Sequence, residues 1–216
     1  MASYLQFYGN QIAVVLNGER YNAVPTGGDV WLLNAAEQGP GPGTPPSTGD
    51  QTFDWPFDPN TTVSSEYGPR SGRIHQGIDF GYGGVGDGVE IHAAAQGTVL
   101  NARSGQVNDT SGSGGWGNFV IIDHGVVVDR QLYTVYAHMK APGPFVGIGD
   151  NIEKWQVIGL VNNTGNSYGA HLHWETHSAA PGQMMTNSNP GTHVNPRTFM
   201  ATYQNVPVPE INLEGY

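Results

Sequence analysis

The stretch Asn118-Phe-Val-Ile-Ile-Asp123, followed after a short gap containing Gly125 by Gln131-Leu-Tyr-Thr-Val-Tyr-Ala-His138, sets the reading of the whole chain. Both runs are short, rich in Val, Ile and Tyr, and bounded by Gly, Asn or Asp, the pattern of β-strands. Working outward, residues 74–80, 89–93, 97–102, 151–160 and 171–177 repeat it between Gly, Asn, Asp and Pro punctuation. Many short strands at close spacing predict an all-β protein, an antiparallel sandwich or open barrel. No segment shows a convincing amphipathic helical period.

Composition agrees. Gly supplies 32 and Pro 15 of the 216 residues, together well above the usual ~12%. These are the poorest helix formers, so an α-bundle is excluded. Hydrophobic residues make up 38% and aromatic residues 10%, enough for a core. The length fits one domain with an appendage. Residues 1–37 read as a small β module: residues 11–16 are strand-like, Asn17-Gly18 signals a type I′ hairpin turn, and residues 19–24 form a return strand. Residues 38–50 read as a Pro/Gly linker, residues 51–204 as the main body, and residues 205–216 as an extended arm. The Gly/Ser-rich stretch 104–115 is expected to be mobile or held by a partner.

Charge excludes several functions. The net charge is −10 with no basic run, which argues against nucleic acid or an anionic membrane as partner. There is no Cys, hence no disulfide, thiolate nucleophile or Cys-based zinc site. No apolar run is long enough to insert in a membrane, and no export signal is visible.

Eight His in so lightly charged a chain point to a metal. In His75-Gln-Gly-Ile-Asp79, positions 75, 77 and 79 share one face of an extended segment, and Gly77 leaves the space between them clear. In His171-Leu-His173-Trp174, both His lie on one face while Leu172 and Trp174 point to the core. Two imidazoles and a carboxylate leave a fourth tetrahedral position open, as in catalytic zinc sites. A further strand-borne His, His138, stands in Tyr136-Ala-His138.

From about Thr62 to Pro196 the chain resembles the M23 class of LytM/lysostaphin-like zinc metalloendopeptidases. The resemblance is carried, in order, by Ser65-Glu-Tyr-Gly-Pro-Arg70, His75-Gln-Gly-Ile-Asp79, Ile91 to Val99, Trp116 to His124, Tyr136-Ala-His138, Thr164-Gly-Asn-Ser167, Gly169 to Glu175 and Val194-Asn-Pro196. It implies the lysostaphin-like fold, an antiparallel duplicated hybrid motif. It implies zinc (Zn2+) as cofactor, His75, Asp79 and His173 as its ligands, and His138 and His171 as the catalytic pair beside them. Bacterial peptidoglycan is the implied substrate. Glycine-bridge cutters of this class carry Tyr where this chain has Arg70, so Arg70 is a candidate for steadying a substrate carbonyl or carboxylate, the alternative being a solvated or structural ion-pair role. Where the class commonly has Pro, this chain has Ala170.

Other residues receive plainer readings. His124 is expected to be a satisfied structural His, His92 solvated or at a cleft rim, and His177 and His193 at the surface, with the cleft wall as the alternative for His177. Glu175 shares the face of His171 and His173 and is read either as an orienting hydrogen-bond partner or as a strand-end charge. Trp116, Trp155 and Trp174 are expected in the core, Trp116 with a possible place at the substrate. Residues 1–37 do not resemble a wall-binding repeat. They are therefore read as an assembly anchor to other virion tail proteins, placing the enzyme on a phage tail. The alternatives are a free endolysin released by a holin and a non-enzymatic virion protein with a retained peptidase fold.

Overall fold

The computed structural model describes the backbone of residues 4–8, 11–16, 19–25, 31–35 and 82 and, in full, residues 52–57, 61–70, 72–81, 85–113, 115–183, 185 and 193–204. The chain divides into two compact units, Met1–Gly41 and Pro42–Tyr216. The first unit is a four-stranded antiparallel sheet of β1 (Tyr4–Tyr8), β2 (Gln11–Leu16), β3 (Glu19–Pro25) and β4 (Trp31–Ala35), in sequence order. Leu16 pairs with Glu19, the register expected of a two-residue Asn17-Gly18 turn. The expected linker, residues 38–50, and C-terminal arm, residues 205–216, lie outside the described residues.

The second unit is built on one large antiparallel sheet. Its strands are β5 (Thr62–Ser65), β8 (Ile78–Tyr82), β10 (Gly97–Arg103), β11 (Phe119–Val127), β12 (Arg130–Ala137), β13 (Asn151–Ile152) and β15 (Leu172–Ala179), in the order β13-β10-β11-β12-β15-β8-β5. A short β16 (His193–Val194) also pairs with β15. Two hairpin-like pairs complete the set: β6 (Gly68–Arg70) with β7 (Arg73–His75), and β9 (Glu90–His92) with β14 (Val157–Leu160). The all-β antiparallel expectation holds.

Alternation along the strands divides the sheet into two chemically distinct faces. Ile78, Phe80, Val120, Ile122, Leu132, Tyr136, Leu172 and Trp174 belong to the main core, which includes Ile91, Ile158, Phe53 and Phe199. Burying each such Leu or Ile contributes about 1.5–3 kcal/mol. The opposite face carries Phe119, Ile121, Tyr133, Val135 and Ala179 as a smaller apolar cluster. Asp79, His173, Glu175 and His177 alternate with core residues, so they also fall on this second face.

Three expectations are corrected. Residues 74–80 are not one strand: the chain breaks at Gln76-Gly77 between β7 and β8. A Cβ on Gly77 would stand 2.3 Å from the Trp174 carbonyl oxygen and 2.9 Å from Glu175 Cγ. Gly77 is thus required by the close passage of this crossing over β15, rather than by an ion. Residues 151–160 likewise divide into β13 and β14 at Trp155, which has φ 66° and is 41% exposed instead of lying in the core. Finally, a helix does form, α1 (Pro196–Tyr203). Asn195 caps it by accepting a hydrogen bond from the Arg197 N–H, and Pro196 supplies the first-turn φ. It is a single short element that buries Phe199 and Met200 against the core, too short for its period to stand out in the sequence.

The stretch 104–115 is held by its own chain. The Asn108 side-chain amide donates to the carbonyls of Asn163, at 2.8 Å, and Ser167, at 2.7 Å. The Asp109 N–H donates to Gly165 O at 2.7 Å.

Candidate metal centre

Strand register brings the predicted residues together. β15 pairs with β8 so that His173 stands opposite Asp79, and β12 pairs on its other side so that Ala137 stands opposite His173. His75 arrives from the end of β7. Three atoms converge: His75 Nε2 and Asp79 Oδ1 are 3.0 Å apart, His75 Nε2 and His173 Nδ1 are 3.0 Å apart, and His173 Nδ1 and Asp79 Oδ1 are 2.9 Å apart. Ligands about 2.0–2.1 Å from a tetrahedral zinc ion lie roughly 3.3 Å from one another, so the triangle is close to that size. The donor set of two nitrogens and one oxygen suits zinc and leaves a fourth side open.

Each ligand is fixed by its outer atom. With His75 Nε2 turned inward, His75 Nδ1–H donates to Glu66 O at 2.8 Å. Arg70 Nη2 crowds the same nitrogen at 2.7 Å, but two donors cannot bond each other. The Arg70 hydrogen bonds go instead to Ser65 Oγ and to Asp79 Oδ2, the latter at 3.1 Å. The Arg70 guanidinium therefore serves the carboxylate ligand. His173 Nε2–H donates to Glu175 Oε1 at 2.8 Å. Glu175 is 1% exposed and takes two further donors, Trp116 Nε1–H at 2.9 Å and His177 Nε2–H at 2.8 Å.

Electrostatics fit a cation. Burial disfavours charge on His173, but its hydrogen bonds to Asp79 and Glu175 and their charges outweigh this and raise its pKa to about 9. A proton therefore takes the place between His173 and Asp79 when no metal is bound, and metal and proton compete. Burial acts upward on the Asp79 and Glu175 carboxyls, but the His75, His173 and His177 donors hold both well below the usual carboxylate range.

The two other imidazoles lie alongside. His138 follows the end of β12 with φ 60°, a left-handed turn uncommon outside Gly, and its N–H donates to Trp116 O at 2.9 Å. Its Nδ1–H donates to Thr164 O at 2.7 Å. Burial, then the neighbouring His173 and His171, push its pKa down to about 3, so the ring is neutral. His171 Nδ1–H donates to Gly169 O at 2.8 Å, which turns Nε2 toward the centre, 3.7 Å from Asp79 Oδ1. The rings of His138 and His171 are 4.8 Å apart. The whole group lies in an open cleft of about 740 Å³, with Ile74, Trp116 and Tyr168 among its lining residues.

All six predicted site residues, His75, Asp79, His173, His138, His171 and Arg70, line this one cleft. His177 is not at the surface: it is 2% exposed and bonded to Glu175. His193 is half-buried, with Nδ1 2.9 Å from the Tyr67 hydroxyl. His124 is buried and satisfied by Gln96 O and Thr134 Oγ1. His92 packs edge-on against Trp155. Sequence reasoning missed the carbonyls of Glu66, Thr164 and Gly169 that set the ring orientations, since a backbone oxygen has no residue-type signature. It also missed the Trp116–Glu175 bond.

Residues 73–196, more than half of the chain, match the sequence profile of peptidase family M23. The chain belongs to peptidase family M23. This member of family M23 is 37% identical over 122 residues to the DD-carboxypeptidase/endopeptidase Mpg of Neisseria meningitidis, a match covering 53% of this chain and 24% of that protein. It is 32% identical over 143 residues to the peptidoglycan DD-endopeptidase ShyC of Vibrio cholerae, covering 63% and 27% respectively. The matched segment thus spans about a quarter of the length of these curated relatives. Among solved structures, a mutant catalytic domain of the prophage-encoded M23 protein EnpA from Enterococcus faecalis aligns with a TM-score of 0.50 at 29% identity, covering 68% of this chain and 97% of that one. Lysostaphin from Staphylococcus simulans aligns with a TM-score of 0.51 at 21% identity, covering 74% and 61%, a likeness of fold.

Proposed function

We propose that this chain is a zinc-dependent endopeptidase that hydrolyses peptide bonds of bacterial peptidoglycan, in the stem peptides or their cross-bridges. The observation that carries the reading is the triangle of His75 Nε2, Asp79 Oδ1 and His173 Nδ1, no side longer than 3.0 Å, with two non-ligand imidazoles beside it in an open cleft. The name of ShyC, a peptidoglycan DD-endopeptidase, supports the choice of substrate.

His75, Asp79 and His173 would hold a zinc ion, which would supply Lewis acidity to a peptide carbonyl and to water. His171 is the general base in this reading. Its Nδ1–H is committed to Gly169 O, so its free Nε2 lone pair faces the reacting atoms and accepts a proton from the attacking water. The imidazolium so formed donates that proton to the departing amine. His138 is neutral, its Nδ1–H held by Thr164 O, and its Nε2 orients the water as an acceptor. Arg70 holds Asp79 in its ligating rotamer through Oδ2. Glu175 fixes the His173 tautomer.

The test is release of muropeptides from purified sacculi by the zinc-loaded chain, followed by mass spectrometry. Soluble cross-link fragments from wild type and none from His171→Ala are expected. Equal release by both proteins, or none by either, overturns the reading, and the second result returns the chain to a non-enzymatic virion role.

The first unit supports a further proposal, that it anchors the enzyme to other proteins of a phage tail, from which the peptidase reaches the cell wall. It is a separate compact unit with its own sheet, and the EnpA neighbour is prophage-encoded. Co-sedimentation of the chain with purified tails checks this, whereas recovery in the free fraction of a lysate favours a holin-released endolysin.

A further inference from the structure

Arg73 differs from the other described basic side chains. Arg70, Lys140, Lys154 and Arg197 pair with Asp79, Asp87, Asp54 and Glu66. Arg103 and Arg130 are held by Gln106 and Ser178. Arg73 is exposed on β7 and has no ion pair or hydrogen bond among the described residues, yet it lines the cleft. It precedes His75 by two positions on an extended strand. The two side chains therefore share a face, with Cα atoms roughly 6.5 Å apart.

The other charges in the cleft are already committed. Asp79 and Glu175 are buried and turn their oxygens to His75, His173, Arg70, Trp116 and His177. Arg70 is engaged with Asp79 and Ser65. Among the described residues, a ligand entering the cleft of this acidic chain therefore meets one uncommitted charge, the Arg73 guanidinium. Its planar fork matches a carboxylate in two parallel hydrogen bonds.

We propose that Arg73 binds a free carboxylate of the substrate, borne within about one residue of the scissile bond. This rests on the peptidase reading above. The chemistry selects a cross-link in which the carbon bearing the scissile nitrogen also bears a carboxylate, as in a D-Ala–diaminopimelate bond. A glycine bridge, or a bond to a lysine side-chain amine, presents no such group. The exposed Tyr168 side chain, also on the cleft, offers apolar contact to the rest of the peptide.

The experiment uses the full zinc-loaded chain and two D-Ala–diaminopimelate muropeptide dimers, one with that carboxylate free and one with it amidated. For wild type, amidation is expected to lower kcat/KM roughly tenfold, mainly through KM. Arg73→Gln is expected to cut both dimers at the amidated wild-type level, with amidation now having no effect, while Arg73→Lys recovers part of the preference. Zinc stoichiometry and unfolding midpoint of each variant confirm that the fold is kept. Cleavage of both dimers at equal rates by wild type overturns the carboxylate site and leaves the peptidase standing. So does an Arg73→Gln variant that still prefers the free carboxylate. Failure of wild type to cut either dimer or any sacculus overturns the peptidase and the carboxylate site together.

Discussion

His173 and Glu175 sit two residues apart on the same face of β15, and the imidazole Nε2–H of the first donates to the carboxylate of the second across 2.8 Å. The same carboxylate takes the indole N–H of Trp116 and the Nε2–H of His177. A Gln at 175 has one acceptor oxygen and an amide that would face an N–H donor. Glu175→Gln is expected to weaken zinc affinity by about 10–100-fold, measured by competition with a chromophoric chelator. An unchanged affinity would mean that His173 keeps its orientation without this bond.

The five site residues separate into two groups by metal content. His75→Ala, Asp79→Ala and His173→Ala are expected to bind less than stoichiometric zinc after dialysis. His138→Ala and His171→Ala are expected to retain it while losing about 10²–10⁴ in turnover. Zinc analysis beside a muropeptide assay distinguishes the two groups.

Gly77→Ala tests the crossing over β15. The added Cβ would meet backbone, the Trp174 carbonyl at 2.3 Å, and so has no flexible neighbour to displace. A loss of about 1–3 kcal/mol is expected, seen as a lower urea midpoint with an unchanged slope. A wild-type midpoint would show that the crossing adjusts freely.

Acid stability depends on His124. Burial depresses its pKa from 6.5 to about 4. The unfolded chain then binds a proton at this site that the folded chain refuses, so stability is present above pH 6.5 and falls as the pH drops toward about 4. The loss attributable to this one ring is about 3 kcal/mol. His138, with a pKa near 3, acts in the same direction. His173, raised to about 9, contributes stability that is already complete below 6.5 and is lost only as the pH rises through 9, so it does not enter this window. Urea unfolding of the zinc-free protein across that range should show a shallower pH slope for His124→Gln than for wild type.

Asn108 fastens the Gly/Ser-rich stretch to the segment around Ser167 by its side-chain amide. Asn108→Ala is expected to speed amide exchange in residues 104–115 and to leave the large sheet unchanged, as read by hydrogen–deuterium exchange.

The strands and the site were legible because both rest on period-two alternation: the same rule that sends Leu172 and Trp174 to the core sends His173 and Glu175 to the cleft. The breaks were not. Gln76-Gly77 and Trp155 sit inside runs of strand-forming residues, and what interrupts them is the close approach of β15 in one case and a left-handed residue in the other. The helix was not legible, because its body is too short to show a period and Asn195 acts as a cap only once the turn has formed. The place of His177 depends on a carboxylate two residues away being wholly enclosed, and enclosure is a tertiary property. The pinned loop 104–115 depends on contacts with residues some fifty positions later, invisible to any local reading.

One consequence follows from how much of the chemistry β15 carries. Its pairing with β12 and β8 is continuous, with Trp174 opposite both Tyr136 and Ile78. Inserting or deleting a single residue between Leu172 and Glu175 would turn an imidazole inward and an indole outward, losing the metal site and the core packing in one step. Changes in length during divergence should therefore be confined to connections that carry no site group, such as residues 104–115. New specificities can arise there while the strand that grips the ion keeps its count.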